Sequence, residues 1–160
     1  GTQFPVDTST VDTILESCAQ ITKNLIKDDY RDLTMQKATT VGQRLYLEYG
    51  ITGVRGEIAN GLPVVKTFGL PTLKKALDDG DGFAGAKTLL SILTHMVDTN
   101  MIARSDVKTA KEYQNDIRLQ HKINIDLLHQ LNQEFIEKNL SPGGSADLLA
   151  VCFLLYFLMH

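Results

Sequence analysis

Ala146 to Met159 reads ADLLAVCFLLYFLM, the one strongly apolar run in the chain. It falls short of the ~20 residues that cross a bilayer's hydrocarbon, so it reads as a helix buried in a protein core. A core helix needs partners, and the sequence upstream supplies amphipathic helical patterns. Val11, Ile14, Leu15, Cys18, Ile21, Leu25 and Ile26 recur at helical spacing, and Ser9 with Asp12 three residues later gives a capping-box-like start. Asp28 to Lys37 is a polar connection. Ala38, Val41, Leu45 and Tyr49 form a second stripe that Gly50 can close in a left-handed cap. The glycine-bearing stretch Ile51 to Gly61, ITGVRGEIANG, has no apolar period and reads as a loop whose backbone needs unusual dihedrals or a close approach.

Pro63 can begin the next helix, and Pro71 either kinks it or separates a short turn from the helix that Gly80 ends. Phe83 to Val97 is apolar on most faces, which predicts a central helix ending at Asp98-Thr99-Asn100. Charges weaken the pattern from Ser105 to Lys122; Leu127, Leu128, Leu131, Phe135 and Ile136 restore it before Asn139. No alternating strand pattern, internal repeat or low-complexity linker interrupts the series. The expected fold is all-α, a single-domain helical bundle over residues 1–160 with an apolar C-terminal core helix.

Composition narrows the function. With 16 basic against 19 acidic residues the net charge is −3, so there is no cationic excess to displace counterions from nucleic acid. Cys18 and Cys152 each lie inside an apolar helical pattern with no second cysteine nearby, which argues against a disulfide framework and for a reducing cytoplasm. No signal-peptide pattern is present, and Gly1 to Asp7 reads as a frayed or truncated end.

The chemistry-bearing residues fall in three strings. In Asn139-Leu140-Ser141-Pro142-Gly143-Gly144-Ser145-Ala146-Asp147 a Ser/Gly turn abuts the start of the apolar helix. Free N–H groups and the positive end of the helix dipole there favour an anion such as phosphate, and the same residues also make an ordinary tight turn with Ser145 as the cap. Thr52-Gly53-Val54-Arg55-Gly56-Glu57 places an arginine between glycines, with room for bidentate phosphate contact or a solvated turn. Asp98-Thr99-Asn100, followed by Arg104, offers oxygen ligands for Mg²⁺ or a sugar hydroxyl, or a plain polar helix end. His95 reads as a satisfied helix-end histidine, and His121 and His129 as surface residues.

In this order, the strings TVGQRLYLEYGITGVRGEIANGLPVV (Thr40 to Val65), DTN (Asp98 to Asn100) and EKNLSPGGSADLLA (Glu137 to Ala150) resemble the triphosphoribosyl-dephospho-coenzyme A synthases. The resemblance runs from about Val11 onward and covers only the family's C-terminal half. It implies a helical transferase that moves the 5-triphosphoribosyl group of ATP to the 2′-hydroxyl of 3′-dephospho-CoA. Adenine is the leaving group, and the product is the prosthetic-group precursor of citrate lyase or malonate decarboxylase. On that reading Arg55, Arg104, Ser141, Gly143, Gly144 and Ser145 bind phosphate. Asp98 or Asp147 acts as base or Mg²⁺ ligand with Glu57 in reserve, and Thr99 and Asn100 support the site. The expected partners are ATP, 3′-dephospho-CoA and the missing N-terminal half, with no nucleic acid and no membrane. The contrasting expectation is a noncatalytic helical module whose apolar last helix packs against a partner.

Overall fold

The computed structural model describes residues 7–120 and 123–160. The readings of Gly1 to Val6 and of His121 lie outside them. The chain forms α1 (Thr8–Asp29), α2 (Val41–Tyr49), α3 (Gly53–Ala59), a π-helical turn (Val65–Gly69) leading into α4 (Leu70–Asp78), and α5 (Ala84–His95). It continues through α6 (Thr99–Arg104), α7 (Val107–Arg118), α8 (Ile125–Glu137) and α9 (Gly143–Met159). Among the described residues every regular element is helical, as the sequence predicts, and no helix is long and apolar enough to cross a membrane.

α5 divides the core, which is why its sequence is apolar on most faces. Ile92 packs into one cluster with Val11 and Leu15 of α1, Leu73 of α4 and Leu148 of α9. Leu90 and Leu93 face a second cluster with Leu45, Met101, Ile102, Tyr113 and Ile117. α9 is a core helix on one face only. Leu148, Cys152 and Leu155 are buried, whereas Leu154, Phe157 and Leu158 stay at the surface because, among the described residues, no other element covers them. Burial pushes the Cys152 thiol up to about 12, and with no disulfide formed it acts as a packing group.

Four local expectations change. The cap of α1 is Asp7, whose Oδ1 gathers Thr10 N at 2.8 Å, Thr10 Oγ1 at 2.7 Å and Ser9 Oγ at 3.0 Å. A carboxylate outcompetes Ser9 for the orphan donors, and Asp12 instead pairs with Lys66. Ile51 to Gly61 is not a loop. Gly53 and Gly61 flank α3 with φ of 55° and 77°, and Gly56 leaves room for the Thr52 side chain, since a methyl there would lie 1.9 Å from Thr52 Oγ1. Pro63 does open a helix, but Pro71 does not end it or set a separate turn apart: Leu70 N donates to Val65 O, five residues back, and the helix runs on into α4. That widened turn accommodates a proline that lacks an N–H and would press on the preceding turn. Finally, Asp98 begins α6 rather than ending α5.

Candidate active site

Asp98 joins two helix starts. Its Oδ1 accepts from Asn100 N at 2.9 Å and Met101 N at 3.3 Å, closing the first turn of α6. Its Oδ2 accepts from Ser145 N at 2.7 Å and Ser145 Oγ at 2.9 Å, in the first turn of α9. Asp98 is 2 % exposed and Ser145 is fully buried. A helix start leaves N–H groups without intrahelical partners and carries partial positive charge. One carboxylate answers both starts, so the anion that the beginning of α9 favours is supplied by the chain itself. Ser145 is therefore spent on Asp98 instead of capping α9. Pro142 holds the cap position, with no side-chain hydrogen bond.

Glycines from two of the three strings serve this junction. A methyl on Gly143 would lie 2.6 Å from Asn100 Nδ2, and one on Gly144 would lie 3.0 Å from Val54 Cγ2 and 3.4 Å from both Asp98 carboxylate oxygens. A methyl on Gly53 would lie 2.8 Å from Thr99 Cγ2. The absence of these Cβ atoms lets α3, α6 and α9 close on one another.

On the solvent side of the junction is a polar cleft of about 260 Å³, lined by Tyr30, Thr40, Gly42, Gln43, Thr52, Val54, Arg55, Thr99, Asn100 and Asp147. Residues far apart in sequence thus share one small space. Asp147 is exposed there, whereas Arg55 donates from Nη1 to Asp29 Oδ2 at 2.7 Å. Both members of that ion pair are about half exposed, so it contributes under about 1 kcal/mol and can exchange for another anion.

The family model for ATP:dephospho-CoA triphosphoribosyl transferase matches residues 4–160. The chain belongs to that family. It is 37 % identical over 145 residues to a probable 2-(5''-triphosphoribosyl)-3'-dephosphocoenzyme-A synthase of Streptococcus equi subsp. equi, covering 86 % of this chain and 49 % of that protein. It is 36 % identical over 148 residues to the 2-(5''-triphosphoribosyl)-3'-dephosphocoenzyme-A synthase of Pectobacterium atrosepticum, covering 90 % and 48 % respectively. A probable synthase of the same name from Malonomonas rubra is 34 % identical over 156 residues, covering 91 % of this chain and 49 % of that one. The chain spans about half the length of these curated relatives. No solved structure gives a significant match.

Within this family member the structure sorts the sequence-predicted residues. Arg55, Thr99, Asn100 and Asp147 line the cleft; Asp98, Gly143, Gly144 and Ser145 form the frame behind it. Three residues stand outside. Arg104 donates from Nη1 to Asn139 Oδ1 at 3.0 Å on the far end of α6. Ser141 borders a separate apolar groove between α5 and α8. Glu57 lines a neighbouring hollow, where its Oε2 accepts from Val64 N at 2.9 Å and burial raises its carboxyl above the usual range.

Tyr30, Thr40 and Gln43 line the cleft without having been named as site residues from the sequence, and Thr52, the first residue of the arginine-bearing string, lines it with them. Thr40 and Gln43 form a reciprocal capping box at the start of α2, a signal that the spacing Thr-x-x-Gln carries; their place beside Asp147 is a tertiary fact. His95 has the helix-end role expected of it, with Nδ1 2.7 Å from Ser91 O and its ring stacked on Phe68. Among the described residues no three His, Cys, Asp or Glu side chains gather as a metal site. A larger hollow of about 560 Å³ beside α5 and α7 contains Lys87 and Arg118, but Lys87 pairs with Asp81 and Arg118 donates to Thr94 O.

Proposed function

We propose that this chain supplies one wall of the active site of a cytoplasmic triphosphoribosyl-dephospho-CoA synthase. The reaction moves the 5-triphosphoribosyl group of ATP to the 2′-hydroxyl of 3′-dephospho-CoA and releases adenine. It yields the prosthetic-group precursor of citrate lyase or malonate decarboxylase. The observation that carries this reading is the convergence of Thr52, Val54, Arg55, Thr99, Asn100 and Asp147 on a single cleft in a member of the transferase family.

Breaking the bond between ribose and adenine builds positive charge on the sugar, so a carboxylate facing the ribose lowers the barrier. Asp147 is the free carboxylate of the cleft and takes that role, accepting the proton of the attacking hydroxyl. Asp98 does not suit base or metal chemistry, because four donors already occupy its oxygens. Its role is to hold α6 and α9 so that Asn100 and Asp147 share one side of the cleft. Arg55 leaves Asp29 for phosphate oxygens, and Thr99 and Asn100 hydrogen-bond the ribose.

Mg²⁺, when it enters with ATP, neutralises phosphate charge, and Asp147 is the side chain that fits it, since Mg²⁺ normally takes one or two carboxylates and keeps phosphate and water ligands. One arginine cannot balance a triphosphate. The remaining cations come from the rest of the length that the relatives have, and the uncovered α9 face around Leu154 and Phe157 is where that portion packs.

Thermal unfolding with ATP and Mg²⁺ tests the reading. Saturating nucleotide should raise the melting temperature, by the equivalent of about 2.7 kcal/mol at a hundredfold excess over Kd. Arg55→Ala should reduce the shift. No shift in the unaltered chain contradicts the proposal, and an undiminished shift in the variant removes Arg55 from it.

A further inference from the structure

The cleft is better suited to the uncharged part of a nucleotide than to its phosphates. Besides Arg55 and Asp147, its lining is Tyr30, Thr40, Gly42, Gln43, Thr52, Val54, Thr99 and Asn100, all neutral. At about 260 Å³ it is smaller than the roughly 300–1,000 Å³ of pockets that enclose whole drug-sized ligands. A planar base with part of its sugar matches that space; a triphosphate tail would leave it.

One wall is aromatic and held in place. The Tyr30 ring stacks on Tyr46 with centroids 4.0 Å apart and planes 23° from parallel. Tyr46 does not line the cleft, so Tyr30 is the member of the stacked pair that borders it. Gln43 Oε1 is engaged by Thr39 N at 2.9 Å and Thr40 N at 3.2 Å, which fixes the amide and leaves its Nε2 hydrogens for a ring nitrogen. Base stacking on an aromatic side chain is worth about 1–3 kcal/mol per base.

We infer that Tyr30, backed by Tyr46, is the platform on which this cleft stacks an adenine base, with Gln43 donating to the base edge. This rests on the nucleotide-binding reading above and adds the orientation: base against the end of α1, ribose toward Asn100 and Asp147, phosphates outward past Arg55. ATP and 3′-dephospho-CoA both carry adenine, so either can supply the base.

The chain contains no tryptophan, so Tyr30→Trp installs a single indole reporter in the cleft. Its emission should be strongly quenched by ATP or by dephospho-CoA, and the one that quenches at lower concentration identifies the source of the base. Inorganic tripolyphosphate should leave emission unchanged. Tyr30→Leu should weaken binding of that nucleotide about tenfold or more, whereas Tyr30→Phe should stay within about twofold. Equal quenching by tripolyphosphate, or full affinity in a folded Tyr30→Leu, overturns the stacking inference while nucleotide binding stands. If Tyr30→Leu does not fold, the indole signal alone decides: quenching by adenine nucleotides only supports the platform, and none in a variant that ATP still stabilises overturns it. If no nucleotide stabilises the unaltered chain, both readings fall together.

Discussion

The two ends of α9 belong to one continuous helix, yet they live in different surroundings. At its start Gly144, Ser145 and Leu148 are buried, and Asp98 reaches in from the start of α6 to accept from the Ser145 N–H and hydroxyl. At its end Phe157 is 69 % exposed and Leu154 58 % exposed. Hydrophobicity alone does not separate them, since Leu148 is fully buried and Leu154, the same residue type on the same helix, is largely exposed. What differs is whether the chain supplies a neighbour, and the end that has neighbours is the end that shapes the cleft.

The largest test of that contrast is Asp98→Ala. Removing the acceptor strands buried donors at the starts of α6 and α9, at a cost of about 4 kcal/mol by chemical denaturation. A loss below about 1 kcal/mol would mean that the junction is incidental to the fold. Next in size, Leu148→Ala should cost about 3 kcal/mol because Leu148 is fully buried. Leu154→Ala should stay within about 0.5 kcal/mol in this chain. Equal losses at the two positions would erase the distinction between the ends.

Gly143→Ala should be mild for stability and specific for binding. Its new methyl displaces the exposed Asn100 amide, which can swing away, so the melting temperature holds while nucleotide affinity falls about tenfold. Isothermal titration separates that outcome from a general loosening, in which both would drop.

The smallest effect concerns Glu57, on the α3 helix that packs beside the start of α9. Burial raises its folded-state value above the ordinary 4.5. Its protonation therefore favours the fold fully below the ordinary value, and that contribution is lost as pH rises through the raised one. Glu57→Gln should leave stability near pH 4 almost unchanged and flatten the decline toward pH 7; a curve that keeps the original slope would acquit Glu57.

Much of this architecture was legible in the sequence. Helical periodicity marked α1, α2, α5, α8 and α9, and Gly50 and Gly80 have the left-handed conformation that ends a helix. α3 escaped because glycines at its ends and middle look like a loop, whereas Gly56 is needed to fit the Thr52 side chain. The six-residue α6 is too short to show a period, so Asp98 looked like the end of α5.

The three site strings did announce themselves by composition, but the partner that consumes Ser145 lies 47 residues away, and no local rule connects them. Tyr30 sits in a polar stretch with nothing to mark it. Such pairings are made by tertiary packing, which is why the frame of the site was visible only as residue types and its wiring was not.

The central claim is that three distant stretches form a single nucleotide-binding surface around Asp98. Amide chemical shifts of ¹⁵N-labelled chain, followed through a titration with ATP and Mg²⁺, address it directly. Val54, Arg55, Thr99, Asn100 and Asp147 should move together and fit one dissociation constant, while α8 stays still. Shifts confined to one stretch, or centred on the hollow beside α5 and α7, would contradict the account.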